Sequence, residues 1–257
     1  MHFWKRMKKK MSGGLQKRRH FFSYDDPNLL FEDTFSGTTL DGSKWHRSRE
    51  EKRHGELCVW DDAMSFLDGK GHLVLRAEWD AEHKRVRSGA VQSSGRFYAG
   101  YGYYEASIAF PTAPGTWGAF WLMCGNVAFG DGVEIDIIES INNEREEASS
   151  ALHWGGYGKH HQMASSGGLY GDDLYDGRFH TFGLERTPEF YAFYIDGKET
   201  WRVLPDTLSP RPYDAFLWLS VEAAVWAGAG QEASINALPK EMLVDYVRVY
   251  KTKPPIR

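Results

Sequence analysis

Cysteine, helical periodicity and long apolar runs are what this chain has least of. Its 257 residues hold two cysteines, Cys58 and Cys124. Two are too few for a disulfide framework and read as buried apolar thiols. No window holds the roughly 18 uninterrupted apolar residues of a spanning helix, so no membrane span is expected. The first twenty residues lack acids and carry eight Lys/Arg, whereas residues 21–257 hold 23 Lys/Arg against 35 Asp/Glu, a formal charge of −12. An acidic body argues against a nucleic-acid groove, because phosphate binding needs clustered cations. The basic head, residues 1–24, reads as a solvated, disordered leader or a misassigned start in preference to a localisation or nucleic-acid tail. It has a basic n-region but not the apolar stretch of about 7–15 residues that completes a secretory signal, which leaves the compartment open.

Aromatic residues are abundant instead. Ten Trp and thirteen Tyr exceed what a core of this size needs, and many stand beside Gly and polar residues. Flat rings either fill a wide sandwich core or line a groove, where they suit sugar faces, bases or cations. Short alternating runs separated by Gly, Pro, Asn or Asp recur from about residue 30 to the end, the pattern of an all-β sandwich or barrel. In Gly102 to Phe110, Tyr103, Glu105 and Ser107 share one face, oddly polar for a buried sheet. Asp196-Gly197 marks a hairpin turn. With no repeat and no internal linker, residues 25–257 read as a single domain, expected to be monomeric.

The segment Val133-Glu134-Ile135-Asp136-Ile137-Ile138-Glu139 sets three acids among β-branched aliphatics. Period two places Glu134 and Asp136 on one face, and strict alternation would send Glu139 into the core. An unpaired buried carboxylate is costly. A β-bulge at Ile137-Ile138 removes the conflict by returning Glu139 to the face of the other two. Clustered acids can share a proton, one held protonated and another ionised, which is the division of labour of a retaining glycosidase. The alternatives are a calcium site, which prefers oxygen-rich loops, and a solvent-facing edge, which would rarely keep so many aliphatics.

The segment resembles the bulged E-x-D-x-x-E signature of glycoside hydrolase family 16. Phe31-Glu32-Asp33-Thr34-Phe35, Tyr101-Gly102-Tyr103-Tyr104-Glu105, Gly115-Thr116-Trp117-Gly118-Ala119-Phe120-Trp121 and Val244-Asp245-Tyr246-Val247-Arg248-Val249 resemble further landmarks in order, over about residues 30–251. The resemblance implies an all-β jelly-roll sandwich of two curved antiparallel sheets with a concave polysaccharide cleft. It also implies an endo-acting, anomer-retaining hydrolase that needs no cofactor for catalysis. Glu134 is then the nucleophile, Asp136 its assisting acid and Glu139 the acid/base. Trp117 and Trp121 would line the subsites beside the cleaved bond, and Glu105 would bind sugar hydroxyls. His153 falls near the acid/base, with Trp154 beside it as a further sugar contact, although a lone His is as readily structural. Glu222 stands where a neutral residue is common and, with Trp226, would set a subsite. A structural Ca²⁺ is implied on the convex side, with Glu32 and Asp245 as candidate ligands. An extracellular or periplasmic location is implied as well.

Gly118 replaces a Pro common in members acting on β-1,3-glucan, and Ser107 an Arg or Lys. The expected substrate is a β-1,3- or mixed-linkage β-1,3/1,4-glucan. A β-galactan of agarose, porphyran or mucin type is the alternative, and a lectin-like binder without turnover or a transglycosylase are the rival functions.

Overall fold

The computed structural model describes residues 26–255 except 54–56, 112–114, 125–131, 143–146, 171–173, 205–213 and 225–229. The 1–24 leader and Trp226 lie outside the described residues. The strands, in chain order, are β1 Leu29–Asp33, β2 His46–Arg47, β3 Glu50–Arg53, β4 Cys58–Trp60, β5 Ser65–Leu67, β6 Leu73–Asp80, β7 Arg85–Ser88, β8 Ala90–Gln92, β9 Gly102–Ala109 and β10 Thr116–Cys124. There follow β11 Val133–Asn142, β12 Glu147–Trp154, β13 Gln162–Ser165, β14 Leu169–Tyr170, β15 His180–Arg186, β16 Tyr191–Ile195, β17 Lys198–Val203, β18 Ala215–Ala223 and β19 Lys240–Tyr250. One short helix, α1 Glu232–Asn236, precedes the last strand.

The strands form two sheets. The first runs β17-β16-β15-β9-β19-β6-β7-β4-β3, with β1 on β19 and β5 on β6. The second runs β13-β12-β11-β10-β18-β8-β2, with β14 on β12. Alternation explains how they meet. Tyr104, Ala106 and Ile108 of β9 and Val244, Val247 and Val249 of β19 are buried in one core cluster. That cluster also takes in Phe120 and Leu122 of β10, Ile135 of β11, and Leu217, Leu219 and Val221 of β18. Residues one step out of phase therefore face away from the core on either side. This is a jelly-roll sandwich with the expected pairing, except that β4 and β7 run parallel. They can do so because the chain between them crosses over through β5 and β6, the longer connection that a parallel pair requires.

Candidate active site

The outer face of the second sheet carries a cleft of about 470 Å³, within the range of small-molecule sites. The residues that line it follow from strand parity. Trp117, Ala119, Trp121 and Met123 come from β10, and Trp218, Ser220 and Glu222 from β18, each the odd partner of a buried neighbour. Trp121 and Trp218 sit opposite each other across the β10–β18 ladder and stack at 4.8 Å with planes 11° apart. Trp60 continues this aromatic wall 5.0 Å from Trp218, and Trp121 Nε1–H donates to Ser220 Oγ at 3.1 Å.

The acids arrive on β11. Against β10, Asp136 pairs with Trp121 but Ile138 pairs with Phe120, leaving Ile137 as the extra residue of a bulge. Ile137 and Ile138 both remain buried, and Glu139 emerges beside Glu134 and Asp136 in the cleft. The aliphatic pair thus satisfies the core while the third acid is re-aimed. Glu134 and Glu139 keep partial exposure, whereas Asp136 is only 4% exposed.

Electrostatics then separates the three. Burial, reinforced by the charges of Asp136 and Glu134, pushes the Glu139 carboxyl well above the ordinary carboxylate range, and His153 opposes this only in part. Asp136 is also pushed up, by burial first and then by Glu134 and Glu222. Burial and like charge thus both favour the protonated forms of Asp136 and Glu139. His153, paired across the ladder with Glu134, brings Nε2 to 3.2 Å from Asp136 Oδ2, a close approach without a hydrogen bond. Its Nδ1 shares a hydrogen bond of 2.9 Å with His161 Nε2. Tyr157 donates its phenolic hydrogen to Glu134 Oε2. Among the described residues, Glu134, Asp136 and His153 also have the spacing of a metal-ligand group. Tyr157 hydrogen-bonds Glu134 and His153 lies against Asp136, and we read the three as an acid–base cluster.

The family model of glycosyl hydrolases family 16 matches residues 51–248 of the chain. The chain belongs to that family. The family 16 chain is 26% identical to the glucan endo-1,3-beta-glucosidase A1 of Niallia circulans over 87% of its own length, and spans 38% of that relative. It is 29% identical to a keratan-sulfate endo-1,4-beta-galactosidase of Sphingobacterium multivorum over 88% of its length, spanning 56% of that protein. In fold it is similar to the GH16 protein of a Bacteroides ovatus mixed linkage glucan PUL, solved with a G4G4G3G product. The TM-score is 0.76 at 22% identity, with 86% of this chain and all of that one covered.

Several residues singled out in the sequence sit elsewhere in this family 16 chain. Glu105 shares a face with Tyr103 as alternation requires, but β9 lies in the first sheet, between β15 and β19. Its side chain therefore faces outward on the opposite side from the cleft and accepts from the hydroxyls of Tyr103 (3.1 Å) and Tyr246 (2.8 Å). Trp154 is one residue out of phase with His153 and packs on the main core. Glu32 does not stand ready for a cation, because Arg248 Nε donates to its carboxylate at 2.7 Å. Asp245 is the extra residue of a β19 irregularity, 4.0 Å from His72 Nε2, and no described ligand group joins it to Glu32. Among the described residues the Glu32 and Asp245 side chains therefore do not converge on a shared cation position. Trp117, Trp121, His153 and Glu222 do surround the acids. Trp60, Trp218, Tyr157, Ser220 and His161 escaped the sequence reading. Strand alternation through Phe216–Ser220 could have found Trp218 and Ser220, whereas no sequence signal joins Trp60 or Tyr157 to the acids.

Gly118 has a structural reason to differ from proline. Its N–H donates to the buried Ser140 Oγ at 2.6 Å. A Cβ there would stand 2.7 Å from Met242 Sδ and 3.0 Å from the Phe110 ring. Gly118→Ala is expected to cost about 1–3 kcal/mol through overpacking. Gly118→Pro should cost more, because it also deletes the donor in a central strand. Thermal unfolding checks both, at roughly 2–4 °C of Tm per kcal/mol for a chain of this size.

Proposed function

We propose that this chain is an endo-acting, retaining hydrolase of a β-linked polysaccharide, with β-1,3- or mixed-linkage β-1,3/1,4-glucan as substrate. The observation that carries the reading is the bulge at Ile137, which puts Glu134 and Glu139 in one cleft beneath a tryptophan wall. Glu134 attacks the anomeric carbon while Glu139, protonated because its site resists a further charge, delivers its proton to the departing glycosidic oxygen. Glu139 then draws a proton from water, which attacks the glycosyl ester and releases Glu134. Asp136 and His153 fix the charge and orientation of the nucleophile's surroundings. A polymer of this kind is met outside the cytoplasm, so a secreted or periplasmic location is part of the proposal. No helix among the described residues is long and apolar enough to cross a membrane.

A β-galactoside is the second reading, favoured by the 29% identity to the Sphingobacterium multivorum galactosidase. Reducing-end release and product sizing on laminarin, barley glucan, agarose, porphyran and mucin separate the two. The expected result is a ladder of oligosaccharides from laminarin or barley glucan. Turnover confined to a galactan overturns the glucan assignment, and binding without turnover of any polymer overturns hydrolysis itself. Chain lengthening at high acceptor concentration would identify a transglycosylase.

A further inference from the structure

The hairpin after the histidine strand lays a phenol on the nucleophile. β12 ends at Trp154, and residues 155–161 return the chain to β13, where Trp154 pairs with Gln162 and His153 with Met163. Gly155 and Gly156 turn the chain at φ of +78° and +76°. A Cβ on Gly155 would stand 2.3 Å from the His160 carbonyl oxygen, so only glycine lets the loop fold back this closely. The fold-back aims two side chains at the acid cluster. His161 meets His153, their rings 6° from parallel, and His153 meets Asp136. Tyr157, 53% exposed at the mouth of the cleft, reaches Oε2 of Glu134. An exposed phenol could satisfy its hydroxyl with water, so its direction reflects how the loop is built.

We propose that Tyr157 is a positioning residue for the nucleophile, holding Oε2 of Glu134 so that Oε1 attacks, and favouring departure of the carboxylate in the second half-reaction. The inference rests on the retaining mechanism proposed above. In the first step, Oε1 of Glu134 bonds to the anomeric carbon as the glycosidic oxygen leaves with the proton of Glu139. Oε2 becomes the ester carbonyl, a weaker acceptor than a carboxylate. In the second step, water bonds to the anomeric carbon and gives its proton to Glu139. The C–Oε1 bond breaks and its electron pair returns to Glu134, whose growing charge the Tyr157 hydroxyl stabilises. A donor to a charged acceptor is worth more than one to a neutral acceptor. Tyr157 therefore assists the second step and slightly restrains the first.

Tyr157→Phe keeps the ring and removes the donor. On a dinitrophenyl β-glycoside of a substrate oligosaccharide the first step is fast and the second limits turnover. There kcat is expected to fall about tenfold, in line with a hydrogen bond to a charged group. KM should fall with it, leaving kcat/KM within about threefold, and a burst of about one dinitrophenolate per enzyme should appear. Mass spectrometry of the quenched variant should find the glycosyl ester on the peptide containing Glu134. Unchanged kcat and KM would overturn the inference. So would a loss confined to kcat/KM, which would make Tyr157 a sugar contact, or a lowered Tm that accounts for the whole effect. The wild-type chain run alongside keeps the two readings apart. If it forms no glycosyl ester, the retaining mechanism fails and the inference falls with it; if it does and the variant matches it, only the inference fails.

Discussion

Glu134→Gln is expected to lower kcat on the polysaccharide by about four orders of magnitude or more, while glycan binding and the fold stay intact. Removing a covalent nucleophile leaves only binding and the remaining acid, as deletion of comparable groups in other enzymes shows. Glutamine keeps the shape of the side chain and an oxygen to accept from Tyr157. It also removes one negative charge from a cluster that includes Asp136, Glu139 and Glu222, so no loss of folding is expected. Reducing-end assays, calorimetric titration with oligosaccharide and thermal melts check the three parts. Glu134→Ala extends the test, because its cavity admits azide. On an activated aryl glycoside, azide should restore turnover and yield the glycosyl azide of inverted configuration. Wild-type rates in the Gln variant would show that the nucleophile is a different residue.

The second large effect is expected at Glu139. Glu139→Gln should lower hydrolysis of the polysaccharide by about a thousandfold, near the middle of the range for a lost general acid. The first step on a dinitrophenyl glycoside should be nearly spared, because that leaving group departs without a proton. In the wild type, burial and the neighbouring acids raise the proton affinity of Glu139, so the acid form persists to higher pH than that of an ordinary carboxyl. Activity must then fall as pH rises through that raised value, and the variant should lose this limb when assayed on the activated substrate. Linkage gives the same group a second signature. A carboxyl whose folded pKa is raised contributes stability that is complete below its unfolded value near 4 and is lost as pH rises through the folded value. The Gln variant lacks this loss, so its Tm should exceed that of the wild type at neutral pH and converge on it near pH 4. A pH-independent difference would argue against a raised Glu139.

These effects depend on a local feature that the sequence states openly. Three acids among β-branched residues conflict with strict alternation at Glu139, and a bulge is the least costly resolution. The structure places the extra residue at Ile137. Tryptophans 117 and 121 were named from the family resemblance, and alternation along β10 sets them on the cleft side with Phe120 and Leu122 on the other. The place of Glu105 was not legible, although its parity was read correctly. Parity assigns a residue to a face of its strand, but which sheet the strand joins depends on pairing with β15 and β19, more than seventy residues away. The same limit applies to Glu32, whose partner Arg248 arrives from the last strand.

The sequence by itself therefore determined the three-acid strand, the need for a bulge and the β class, and its resemblance to the family implied the reaction type. The strand and its bulge depend on side-chain period over fewer than ten residues, where the chain's own geometry decides, and the β class on the same period repeated along the chain. Tertiary structure alone decided what surrounds the acids. It stacked Trp60, Trp121 and Trp218 into a wall, closed a glycine hairpin so that Tyr157 meets Glu134, turned Glu105 to the far side, and made an N–H at Gly118 indispensable. The physical reason is that desolvation and charge coupling depend on distance in space. The upward shift of Glu139 comes first from burial, which only the packed structure supplies, then from Asp136 and Glu134 of its own strand, with Glu222 of β18 adding the least.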